Sequence, residues 1–262
     1  MVRVLTPDQE KSIYSRHDKL GLKVIPKATI VGTGGTGTQV AILLAMSGTK
    51  EFLLMDEDYL ELSNLNRLPY TVEDLDLPKS ELLKQYIEAI RPSTRVITAP
   101  RATELTMKLL QGTIFDCTDR HGTQIELCKY AKAKKLPYIR VGYDGMSMTV
   151  TDSVPEWCVD RAPDEGGYTI TPSWIVPAMM AACLAVTKAM YAPGIEVSHS
   201  VNEVFSPKHM DTDKLLWEVS ITQLTLAKFG LTMKERKSSS ICKRCGKAMT
   251  IHDKFLFCKD QG

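Results

Sequence analysis

The sequence has little of what would place a chain in or outside a membrane. No apolar run reaches the roughly 18 residues of a membrane span. The opening stretch, MVRVLTPDQEKS, is polar and charged and has no apolar leader core. A cytoplasmic location is therefore the expectation. Charge imbalance is also small. The formal net charge is +2 over 262 residues, which points to neither nucleic acid nor an anionic membrane surface as partner. No internal repeat is visible. The seven cysteines are an odd number in a chain this large, so a disulfide framework is not expected. Cys117, Cys128 and Cys183 lie in apolar contexts and read as small buried hydrophobes.

What is present is a cluster of glycines between two apolar runs. Residues 28–67 read ATIVGTGGTGTQVAILLAMSGTKEFLLMDEDYLELSNLNR. Ala28 to Val31 is long enough for one buried strand. Gly32, Gly34 and Gly37 form G-x-G-x-x-G, Val40 to Met46 follows at helix length, and Phe52 to Met55 is a second strand ending in Asp56. Gly32 and Gly34 permit positive φ and a close backbone approach to a phosphate. Gly37 allows tight packing of helix on strand. The free N–H groups at the helix start favour an anion. Asp56 stands about 20 residues past the turn, where a carboxylate accepts from ribose hydroxyls. A nucleotide site is the reading, and a plain packing turn is the alternative.

The remaining chain alternates strands and helices. Residues 6–22 read as a polar N-terminal helix or arm. Residues 78–92 place Leu82, Leu83, Tyr86, Ile87 and Ile90 on one helical face, with a proline at each end. Lys79 then sits at a helix start, where its charge opposes the dipole. Strands are expected at Arg95–Arg101, Thr113–Thr118, Pro137–Gly142 and Ser147–Val154, and a helix at Gly122–Leu136. This pattern predicts an α/β fold with a doubly wound, mainly parallel sheet. Ligands bind such sheets outside the carboxyl ends of the strands, where Asp56 and Asp119 fall. After a polar crossing segment, 155–172, comes a nearly all-apolar helix from Ser173 to Met190. Its Pro177 and Lys188 argue for a buried core or a subunit interface rather than a membrane span. Glu196–Phe205 and Leu215–Thr222 alternate as an antiparallel strand pair.

The tail carries Cys242-x-x-Cys245 and then Cys258. Three thiolates at such spacing suggest zinc, which needs a fourth ligand. His252 is the nearest candidate and Cys158 the next. The expected organisation is a nucleotide-binding domain over 1–230, a basic Ser-rich linker over 231–240 and a small zinc-ribbon-like tail over 241–262.

Taken together, VGTGGTG at 31–37, DEDYLELSNLNR at 56–67 and DCTDR at 116–120 resemble the ThiF/MoeB family of adenylating enzymes, relatives of the ubiquitin-activating enzymes. The resemblance runs from about Tyr14 to Met190. It implies a Rossmann-like domain that binds ATP, with Gly32, Gly34, Gly35 and Gly37 near the α-phosphate and Asp56 on the ribose. Asp58 belongs to the same nucleotide-binding set. Asn64, Arg67 and Lys79 would contact phosphates, and Asp119 would hold magnesium. Arg16 would reach the phosphates of a neighbouring subunit's ATP, which implies a homodimer. The implied reaction is adenylation of the C-terminal carboxylate of a small ubiquitin-like or sulfur-carrier protein ending in Gly-Gly, or of a peptide. Cys158 is the one candidate thiol for a covalent step in the crossing segment, with Arg161 as its only nearby cation.

The chain departs from the family pattern in places. His17 stands where relatives carry Gln, Leu68 also replaces Gln, and Arg120 replaces Asn. Relatives often hold zinc with two C-x-x-C pairs, and here only one pair is complete. The competing readings are a non-catalytic scaffold, like the inactive half of heterodimeric activating enzymes, an NAD-dependent oxidoreductase, and a family member directed at an RNA base.

Overall fold

A computed structural model of the chain describes residues 6–17, 20–144, 147–154, 173–191, 197–200, 249–252 and 255–258. The first strand, β1 (Lys27–Val31), is central because the chain winds away from it in both directions. It pairs in parallel with β2 (Glu51–Met55) on one side and with β4 (Thr113–Asp116) on the other. β3 (Arg95–Ala99) lies outside β2, and β5 (Tyr138–Asp144) lies outside β4, both in parallel register. β6 (Ser147–Thr151) and β7 (Val197–Ser200) continue the sheet antiparallel, giving the order β3-β2-β1-β4-β5-β6-β7. The expected mainly parallel sheet with antiparallel C-terminal strands is thus present. Of the expected antiparallel pair, Leu215–Thr222 lies outside the described residues.

Each parallel strand buries both of its faces, so it reads as an apolar run rather than an alternation. Ala28, Ile30, Phe52, Leu54 and Phe115 point into one core, while Val31, Leu53, Met55 and Ile114 point into the other. Helices α2 (Gly35–Met46), α3 (Lys79–Ile90) and α5 (Ile175–Met190) cover the first face. Helix α4 (His121–Lys134) and the turn around Met107 and Leu110 cover the second. α2 carries no charged residue and buries most of its surface, as expected of a helix wedged between the sheet and α5. Within α5, Lys188 is buried and its ammonium lies 2.9 Å from the Asp152 carboxylate. Among the described residues no helix is long and apolar enough to cross a membrane.

The expected N-terminal helix is shorter than 6–22. α1 (Pro7–Ile13) opens on a Thr6 capping box with Gln9. The chain then packs Tyr14 against the far end of α2, its hydroxyl 3.5 Å from the Ala45 carbonyl oxygen. The chain divides into two compact units, Met1–Val201 and Asn202–Gly262. In the second unit, β8 (Met249–His252) and β9 (Phe255–Cys258) form an antiparallel hairpin. The expected linker 231–240 lies outside the described residues.

Candidate functional site

Strand order reverses between β1 and β4, and the crevice of a doubly wound sheet opens at such a point. The chain leaves β1 through Gly32, whose φ is +87°. A Cβ there would stand 2.8 Å from the Cys117 carbonyl oxygen, which follows β4. Only glycine meets both demands. A Cβ on Gly37 would fall 1.8 Å from the Gly32 carbonyl oxygen, so α2 packs on the turn at a distance no side chain permits. Gly34 differs. It caps α2 without a side-chain hydrogen bond, and a Cβ there would meet nothing within 4 Å. That open space lies over the first N–H groups of α2, where helix geometry leaves donors without backbone partners.

The acidic strand end holds the turn in place. Asp56 Oδ2 accepts from the Thr33 amide at 2.6 Å and from its hydroxyl at 2.9 Å. Asp56 Oδ1 accepts from the Asp58 amide at 2.8 Å. A carboxylate has about four acceptor sites, so these bonds leave Oδ1 a site for a ligand hydroxyl. Lys79 begins α3 and is largely buried. Its ammonium lies 3.2 Å from Asp58 Oδ2, and its amide donates to the Asp58 carbonyl. Asp58 therefore offsets the charge that opposes the helix dipole.

Asn64 is buried, and its Oδ1 accepts from the Glu61 amide at 3.2 Å, closing the short turn Leu62–Asn64. That turn presents Arg67. Arg67 Nη1 donates to the Ser63 carbonyl and to Asn66 Oδ1, each at 2.9 Å, and Asn66 in turn donates to the Ser173 carbonyl ahead of α5. The Arg67 Cδ would lie 3.0 Å from a Cβ on Gly35, so its stem crosses the start of α2. Both acceptors of Arg67 are uncharged. Asp119 is exposed just beyond β4, and the neighbouring Arg120 reaches Glu57 at 3.8 Å. That exposed pair contributes little to stability.

Two further groups lie in this region that the sequence reading did not single out. Asp116, the last residue of β4, is fully buried. It accepts from the Thr118 amide, from the Thr118 hydroxyl and from the Tyr138 hydroxyl, the last at 2.6 Å. These bonds shape the loop that turns the Cys117 carbonyl toward Gly32. Burial raises the Asp116 pKa, against the opposing pull of its hydrogen-bond donors. The available signal was an aspartate inside an apolar strand. Tyr143, near the end of β5, places its hydroxyl 3.0 Å from a Cβ on Gly35. Its signal was one aromatic at a strand's carboxyl end.

Other expected residues lie elsewhere. Arg16 is exposed and follows Tyr14, which packs beside Ala45 and Gly48 at the opposite end of α2 from the turn. That helix is about 18 Å long at 1.5 Å per residue. Cys158, Cys242 and Cys245 lie outside the described residues. The hairpin pairs His252 with Phe255 and Cys258 with Met249, which sets His252 and Cys258 at its opposite ends. Three strand positions between them span about 10 Å. No group of three or more potential metal-binding side chains occurs among the described residues.

A doubly wound sheet with a glycine turn and an acidic strand end at the point of strand reversal has the architecture of a Rossmann-like nucleotide-binding domain. The chain belongs to the ThiF family, whose model matches residues 17–203. It is 33% identical over 138 residues to the sulfur carrier protein ThiS adenylyltransferase of Escherichia coli K12, covering 49% of this chain and 53% of that protein. It is 29% identical over 180 residues to the protein of the same name from Bacillus subtilis, covering 63% and 53%. It is 32% identical over 105 residues to the adenylyltransferase and sulfurtransferase UBA4 of Debaryomyces hansenii, covering 37% and 23%. The chain thus spans about half the length, or less, of these relatives. The fold is also that of the microcin C7 biosynthetic enzyme MccB solved with N-formylated MccA, with a TM-score of 0.54 at 21% identity, covering 63% and 56%. PaaA gives a TM-score of 0.56 at 21% identity, covering 77% and 76%.

Two outcomes follow from this geometry. Gly37→Ala forces the helix off the turn, so it should lower the melting temperature and weaken nucleotide binding at least tenfold; binding within twofold of wild type would contradict the packing described. Asp116 should make stability depend on pH. Its folded pKa is raised, so the folded state holds more protons between the ordinary value of 3.8 and the folded value. Relative to Asp116→Asn, the wild type should lose stability as pH rises through that window, by at most about 1.4 kcal/mol per pH unit. Denaturant melts of both proteins from pH 4 to 7 check the sign.

Proposed function

We propose that this chain is an ATP-dependent adenylyltransferase that activates the C-terminal carboxylate of a small ubiquitin-like or sulfur-carrier protein ending in Gly-Gly, or of a peptide. The observation that carries this reading is Arg67. Its guanidinium lies by the start of α2, and among the described residues it pairs with no carboxylate. A cation held on neutral acceptors beside open helix N–H groups suits a polyphosphate. Lys79 adds a second, nearly buried cation, whose exposed partner Asp58 can turn to solvent when a phosphate arrives. A nicotinamide cofactor would use the glycines and Asp56 but leave these cations without a purpose.

In the reaction, a carboxylate oxygen forms a bond to the α-phosphorus. The bond from that phosphorus to the bridging oxygen breaks, and pyrophosphate leaves with the electron pair. No general base is needed, because the attacking carboxylate is already ionised at neutral pH. Charge builds on the phosphoryl oxygens and the leaving group, and the pre-placed Arg67, Lys79 and α2 amides stabilise it. Asp56 keeps the turn in shape and offers its free acceptor site to the ribose. Asn64 acts by closing the turn that presents Arg67. Asp119 is the residue to hold magnesium. One carboxylate together with substrate phosphates is the usual donor set for that ion, which supplies charge neutralisation.

Arg16 cannot serve the turn of its own subunit from the far end of α2. Its role is in a partner subunit's site within a homodimer. Cys158 remains the candidate for a later thioester or disulfide step. In the tail, Cys242, Cys245 and Cys258 are retained as zinc ligands. His252 and Cys158 are the two candidates for the fourth donor, and no step of the reaction runs through this metal.

ATP–pyrophosphate exchange with a Gly-Gly-ending carrier protein and with a series of synthetic peptides tests the activity. Exchange should appear with one of these classes. Arg67→Ala and Lys79→Met should each reduce it by about a hundredfold, the scale of one lost transition-state donor. Absence of both exchange and ATP binding would refute the proposal. For the tail, purified protein should carry about one zinc per chain, and either His252→Ala or Cys158→Ala should lower it. Less than half an equivalent in wild type would remove the zinc site.

A further inference from the structure

The proposed reaction needs something to hold the incoming carboxylate over the phosphate, which the cations and amides of the turn do not do. Arg67, Lys79 and the α2 amides all serve the phosphates. Beside Arg67 stands Tyr143. A Cβ on Gly35 would stand 3.0 Å from the Tyr143 hydroxyl and 3.0 Å from Arg67 Cδ, so the two side chains flank the same helix start. The ring of Tyr143 packs against the core beneath α2 and α5. Pairing with Met148 of β6 fixes its backbone. The ring is therefore held, and the hydroxyl is carried to the carboxyl end of β5. That hydroxyl makes no hydrogen bond to any described residue. A tyrosine anchored by its ring with an unused hydroxyl at a crevice usually has a partner to find.

We infer that Tyr143 is a substrate-contacting residue whose hydroxyl donates a hydrogen bond to the incoming C-terminal carboxylate, and then to the same oxygen as the acyl oxygen of the adenylate. This rests on the adenylyltransferase reading above. The chemistry favours a neutral donor at this position. A lysine or arginine would ion-pair the carboxylate and lower its nucleophilicity, whereas a hydroxyl orients it at less cost. The proton stays on Tyr143 throughout. The bonds that change are the carboxylate oxygen to phosphorus and phosphorus to pyrophosphate.

The test uses the full chain and two probes, ATP and 5′-O-(N-glycylsulfamoyl)adenosine, a stable mimic of a glycyl adenylate. Tyr143→Phe keeps the packed ring and removes only the hydroxyl. It should bind ATP within twofold of wild type and bind the acyl mimic about threefold to tenfold more weakly, the worth of one neutral hydrogen bond. Its melting temperature should match wild type, since no described protein bond is lost. A purely structural role would not separate the two ligands. If the variant weakens both ligands alike, or neither, the inference is wrong. Tyr143→Gln returns a donor without the ring and should recover acyl-mimic affinity relative to Tyr143→Ala; equal affinities for these two variants would also overturn it. Should wild type bind neither probe, the adenylyltransferase reading itself fails, which is a distinct result.

Discussion

The site depends on two carbonyl oxygens that come closer to glycine than any side chain would allow. The Gly32 carbonyl sits where a Cβ on Gly37 would be, and the Cys117 carbonyl crowds the Cα of Gly32. These contacts close the turn between β1 and α2 against the loop after β4, at the point where strand order reverses. If either contact opened, the first amides of α2 would no longer lie over the crevice. Two carboxylates hold the arrangement from either side. Asp56 binds the turn at Thr33, and buried Asp116 shapes the loop that bears the Cys117 carbonyl. Neither acid needs to touch a ligand to matter, although Asp56 retains an acceptor site for one.

Around this frame the charges are sorted by what they face. Lys79 is matched by Asp58, and Arg120 and Arg101 by Glu57. Arg67 is different, because its described partners are a carbonyl and an amide oxygen, which orient it without neutralising it. A helix start without a side-chain cap and a guanidinium that pairs with no carboxylate among the described residues then share one small region. Such a region favours an anion with several oxygens. Tyr143 brings a neutral hydroxyl to the same helix start.

Much of this was legible in the sequence because the signals are local. Parallel strands buried on both faces read as apolar runs, and β1, β2 and β4 fell within a residue or two of their expected bounds. The glycine spacing, Asp56, Arg67 and Lys79 stood at positions whose backbone demands are set by near neighbours. Asn64 was legible as a site residue, and its Oδ1 also closes the turn that presents Arg67. Asp116 and Tyr143 were not legible. Each reads as part of an ordinary strand, and their significance comes from partners far along the chain, Tyr138 for the first and Gly35 for the second. The N-terminal arm is similar. Its capping box is local, but its packing at the far end of α2 depends on Ala45, Gly48 and the long-range pairing of Lys50 with Glu10.

The sequence by itself determined the type and order of the elements, the turn that only glycine can make and the acid that follows it. Those follow from φ, periodicity and residue volume, which act over a few residues. Tertiary structure decided which charges are neutralised, which strand residue reaches the start of α2 and which end of α2 the N-terminal arm occupies. Those depend on distances between segments that sequence spacing does not encode, because electrostatic and packing energies are set by separation in space.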